Sequence, residues 1–106
     1  MQVSMADLRE LFLAGEGTEN GTSLAVGEQY LIRTVTHYFT GRIVAVTATD
    51  VVLEDGAWIA DTGRFSDALN SGALNEVEPY PGRVIVFRSA LIDAALWPHK
   101  LPRDQK

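Results

Sequence analysis

The sequence contains no cysteine, which excludes a disulfide framework, a cysteine-built zinc site and thiol catalysis, and leaves the redox compartment open. Positive charge is scarce as well: 9 Lys and Arg stand against 14 Asp and Glu, a formal net charge of −5. That balance opposes the phosphate attraction behind nonspecific nucleic-acid binding, so nucleic acid is not an expected partner. No apolar run approaches the roughly 18 residues needed to span a bilayer, and the first residues lack the basic, hydrophobic, small-residue order of a secretion signal. A soluble, cytoplasmic chain is the expectation. No catalytic motif, metal-ligand set or phosphate-binding loop is present, so neither a cofactor nor an enzymatic activity is expected.

What is present is enough for one folded domain. The 106 residues are 46% hydrophobic, sufficient for a modest core without metal or disulfide staples. The densest strand signal runs from Tyr38 to Ile59. Over Thr40 to Val46 the residues Tyr38, Thr40, Arg42, Val44 and Val46 alternate with Phe39, Gly41, Ile43 and Ala45, and both faces become apolar by Ile43. Such a strand suits a strongly bent sheet that closes on itself, or one whose outer face is covered by a helix or another subunit, with the bend at Gly41. Thr47 to Asp50 reads as a polar turn, Val51 to Leu53 as a strand, Asp55-Gly56 as a tight turn and Ala57 to Ile59 as the next strand.

On either side the chain reads as material packed on that sheet. Ser4 and Asp7 precede an apolar stripe of Leu8, Leu11 and Phe12, and Gly15 and Gly17 follow, which predicts an amphipathic helix over residues 1–15. A helix that short needs a surface to lie on, either an open end of the barrel or a neighbouring subunit or partner. Leu8, Leu11, Phe12 and Trp97 are the candidate partner contacts. Residues 16–27 have loop composition, 28–97 are expected to form the barrel with an insertion at 60–82, and Glu28 to Val35 is its first strand. Within the insertion, Asp61 or Thr62 caps a short helix with Phe65, Ala68 and Leu69 on one side, and Asn70-Ser71-Gly72 closes it. Residues 75–82 carry two glutamates and two prolines around Val77 and Tyr80 and read as a stiff acidic loop rather than a strand. Arg83 to Phe87 reads as a buried strand. Periodicity does not decide whether 91–97 is strand or helical turn. Residues 98–106 hold Lys100, Arg103 and Lys106 and form a basic tail able to seat on an acidic surface of a neighbouring copy of the same protein.

Gly41, Ile43 and Val46, then Asp50 through Asp55, then Val84 through Ile92 together resemble the two sequence blocks of the Sm-like fold, over roughly residues 3–97. The resemblance implies a mainly β, strongly bent five-stranded small barrel (Sm-like or SH3-like) behind an N-terminal helix, closing into rings by edge-strand pairing between subunits. That family contacts RNA through an Asn where this chain has Asp50, an aromatic near Ala48, and an Arg-Gly pair where it has Arg88-Ser89. Two of these three are lost, and a carboxylate at Asp50 repels phosphate. Residues 30–44, 57–65 and 75–81 also resemble a family of small phage and prophage proteins. The resemblance implies a mobile-element setting, in the host cytoplasm or the virion.

Two functions follow as expectations. The first is a non-enzymatic phage-type structural or assembly protein that forms a homo-oligomeric ring or decorates a larger particle. The second is an oligomeric protein that binds or sequesters a nucleotide, with Arg33, Arg42, Arg64 and Arg88 as phosphate forks and Trp58, Tyr80 or Trp97 as base-stacking rings. A cation held by Asp50, Glu54, Asp55 and Asp61 is a third and weaker reading, since those residues border turns.

Overall fold

A computed structural model describes residues 23–106; the helix expected over 1–15, with Leu8, Leu11 and Phe12, lies outside the described residues. The chain forms β1 (Gln29–Thr34), β2 (Tyr38–Val46), β3 (Asp50–Asp61), α1 (Phe65–Ser71), β4 (Glu76–Pro79), β5 (Val84–Phe87), a 3-10 turn (Arg88–Ala90) and β6 (Leu91–Leu96). All strands join one antiparallel sheet in the order β4-β3-β2-β1-β6, with β5 also paired to β3.

The sheet is open, which corrects the expected five-stranded barrel. Among the described residues no ladder joins β6 to β5 or β4, and there are six strands. A barrel has a single interior, whereas this sheet builds a core on each face. Tyr30 and Ile32 belong to one buried cluster, with Phe39, Ile43, Val51, Leu53 and Val86. Leu31, lying between them and therefore facing the other way, joins Ala57, Ile59, Ala68, Leu74, Val77, Trp97 and Leu101 in a second cluster. Each fully buried aliphatic contributes about 1.5–3 kcal/mol. The apolar residues on both faces of the central strands therefore reflect two cores.

The Asp55-Gly56 pair is not a turn. β3 runs unbroken from Asp50 to Asp61, and its register against β2 slips between Thr40↔Ala57 and Arg42↔Glu54. Two steps on β2 face three on β3, a β-bulge. A positive φ accompanies this bulge at Asp55 (φ 51), not at the glycine. Val51 and Leu53 enter one core and Ala57 and Ile59 the other, although all four positions are odd-numbered. A second slip, between Ile43 and Ala45, returns Val46 to the face of Ile43.

Two short strands lie in line along the outer side of β3. β5 pairs with its first half, Val84↔Leu53 to Phe87↔Asp50, and β4 with its second, Pro79↔Ala57 to Glu76↔Asp61. The segment expected to be a stiff loop thus contains an edge strand. Proline is tolerated there because Pro79 closes it, and the Tyr80 N–H takes over by donating to the Gly56 carbonyl at 2.9 Å. Residues 91–96 are strand, set by pairing with β1. α1 caps the second core with Ala68 and Leu69. Its N-cap is Arg64, without a side-chain cap bond; Asp61 instead accepts from the Gly63 N–H at 2.8 Å. Gly72, at φ 80, ends the helix as expected.

Candidate functional site

Four of the exposed large apolar side chains lie on the two edge strands β5 and β6. On β5, Val86 is 5% exposed, while Ile85 and Phe87 are 57% and 63% exposed. On β6, Ile92 and Leu96 are 58% and 63% exposed. The run Arg83 to Phe87 is therefore not a buried strand but an edge with one face in the core. Its β-branched, unbroken composition gave no sign of this, because an edge strand of a two-faced sheet and a central strand share that pattern. Among the described residues, β5 has no strand partner other than β3, and β6 none other than β1. Beside β6 an open apolar cavity of about 320 Å³ is lined by Leu24, Tyr30, Ile32, Leu91, Ile92 and Ala94, among others.

The candidate stacking residues Trp58 and Tyr80 are brought together. Phe39 and Trp58 are cross-strand partners, the Phe39 and Tyr80 rings lie 6.2 Å apart, and His37 lies 5.9 Å from Phe39 and 5.6 Å from Trp58. Trp58 and Tyr80 remain partly exposed over the buried Phe39. Trp97, the third candidate ring, is 2% exposed within the chain's own core. Its indole N–H donates to the Lys100 carbonyl at 3.3 Å, so it offers neither a partner contact nor a stacking face.

The four candidate arginines do not converge on the rings. Arg33 forks onto Asp93 across β1 and β6, with Nε 2.8 Å from Oδ1, and lies 5.7 Å over the Phe65 ring. The bond to Asp93 holds the guanidinium above its ordinary range and Asp93 below the usual carboxylate range. Arg42 donates to Glu54 at 3.2 Å, Asp55 at 3.1 Å and the Gln29 side chain at 3.0 Å, and these carboxylates raise its pKa, Glu54 foremost. Arg88 donates to the Thr47 carbonyl at 2.7 Å. Arg64 is exposed at the start of α1. Three of the four thus have donors engaged inside the chain.

Of the acidic group Asp50, Glu54, Asp55 and Asp61, Glu54 and Asp55 meet on Arg42. Among the described residues no three His, Cys, Asp or Glu side chains are gathered to hold a metal ion. No helix there is long and apolar enough to cross a membrane.

The chain matches no family model, no curated protein and no solved structure.

Proposed function

We propose that the protein is a non-enzymatic assembly protein that associates with copies of itself through the edges of its open sheet. The observation that carries this reading is the placement of Ile85, Phe87, Ile92 and Leu96, all more than half exposed, on the two edge strands β5 and β6. An edge presents a row of backbone donors and acceptors, and a sheet that stays monomeric guards it with charge, proline or a covering element. Among the described residues, neither β5 nor the apolar ends of β6 carry such a guard, apart from the Asp93–Arg33 pair midway along β6. Pairing of one copy's edge with the next satisfies those groups and removes the apolar side chains from water. A phage-type particle is the setting the sequence resemblance favours. The nucleotide reading is weaker, because Arg33, Arg42 and Arg88 are already engaged.

The test is native mass. A defined multimer of the 11.6 kDa chain that falls to monomer in both Phe87→Lys and Leu96→Lys, with unchanged circular dichroism, supports the proposal. A wild-type monomer at high micromolar concentration sinks it.

A further inference from the structure

The basic segment after β6 does not run free. Leu101, 3% exposed, enters the core beside Val77, and the chain then turns along the outer edge of β4. Val77 and Lys106 exchange both backbone bonds, at 2.9 and 3.0 Å. One register step away, the Gln105 amide donates to the Glu78 carboxylate at 3.0 Å, and Arg103 reaches Asp55 at 2.9 Å. This is antiparallel strand addition to an acidic edge by a short basic segment, with a side-chain contact at each end.

The attachment is light. Residues 103–106 are all exposed, so beyond Leu101 the segment is held by two backbone bonds and two polar side-chain contacts, with Pro102 alone partly covered. A region with few buried contacts and exposed hydrogen bonds opens at a small fraction of the global unfolding free energy. The β4 edge is then left with unpaired backbone groups and the carboxylates of Glu78 and Asp55.

We propose that the β4 edge is a strand-accepting site for short basic segments, occupied in cis by residues 102–106 and able to take the same segment of a second copy. The chemistry of the occupant is set by the contacts that hold it: a backbone pair opposite Val77, an amide opposite Glu78 and a guanidinium opposite Asp55. Exchange of an identical element between copies replaces each contact with its equal, so it needs no new complementarity. The site is separate from the β5 and β6 edges, and its failure leaves the assembly reading standing.

The absence of native cysteine allows a direct test on the full chain. Glu78→Cys and Gln105→Cys variants are purified separately, mixed and mildly oxidised. The expected product is the mixed disulfide pair in clear excess over either same-variant pair, rising with concentration. A random distribution of pairs, or chains that stay uncrosslinked, overturns the proposal. If either variant fails to fold, a labelled peptide of residues 99–106 is titrated instead against wild type and Lys106→Pro, which lacks the N–H donated to Val77. Lys106→Pro should bind at least about tenfold more tightly, because its edge is open more of the time, with an affinity that falls as salt rises. Equal binding by the two chains, or no binding by either, overturns it.

Discussion

Gly41 and Gly56 face one another across β2 and β3: a Cβ built on Gly41 would lie 3.4 Å from the Gly56 Cα, and 3.1 Å from the Leu53 Cβ. The bulged segment and the strand opposite thus approach at a point where a side chain on β2 would press on Leu53. Gly41→Ala should cost about 1–3 kcal/mol by overpacking, read as a lowered urea midpoint at unchanged slope. An unaltered midpoint would show that the strands part freely there.

Thr40, one step away and fully buried, has a side-chain hydroxyl with no hydrogen-bond partner among the described residues. A buried hydroxyl left unpaired is destabilising, and valine replaces it at similar volume. Thr40→Val should raise stability by about 1 kcal/mol in the same urea titration. A loss would mean that the hydroxyl is satisfied by water.

Asp55 combines a left-handed backbone with bonds from Arg42 and Arg103. Asp55→Asn and Asp55→Ala both remove the charge, but asparagine tolerates that backbone and alanine does not. The alanine variant should be less stable than the asparagine variant by about 1–2 kcal/mol. Equal stabilities would show that the bulge relaxes to another conformation.

Asp93, held below the usual carboxylate range by Arg33, sets a pH dependence of definite sign. A carboxyl with a depressed folded pKa contributes stability that is fully present above its unfolded value of about 3.9. That contribution is lost as pH falls through the lower folded value. Asp93→Asn should therefore be less stable than the parent at neutral pH, with the gap closing in strong acid. The pair is exposed, so the gap should be small and should shrink with added salt.

Local chemistry was readable wherever it alone decides. The turn at Thr47 to Asp50 closes through the Asp50 N–H and the Thr47 hydroxyl, 2.9 Å apart, and Gly72 ends α1 in the left-handed region. Asp55-Gly56 misled because a tight turn and a bulge ask for the same residue types, and only the partner strand distinguishes them. Residues 75–82 misled because two prolines argue against a central strand but not against a short edge one. The edge positions Ile85, Phe87, Ile92 and Leu96 were not legible as such, since exposure on a two-faced sheet depends on which strand ends the row. Among the candidate site residues, Trp58 and Tyr80 meet through Phe39, a contact between strands that no sequence spacing encodes. The destination of the basic segment was half legible: its charge pointed to an acidic surface, expected on a neighbouring copy, and the structure seats it on the chain's own β4 and Asp55.

A strand's inside-outside pattern has a phase, and the extra residue at Asp55 shifts that phase by half a period within β3. Deleting that one residue would send Trp58 and Ala60 to the side now taken by Ala57 and Ile59, exchanging the two sets over the whole second half of the strand. Changes of side-chain size can be absorbed within one core without reference to the other, but the spacing Glu54, Asp55, Gly56 between Leu53 and Ala57 belongs to both cores. Chain length at that point is therefore more tightly constrained than the identity of most residues around it.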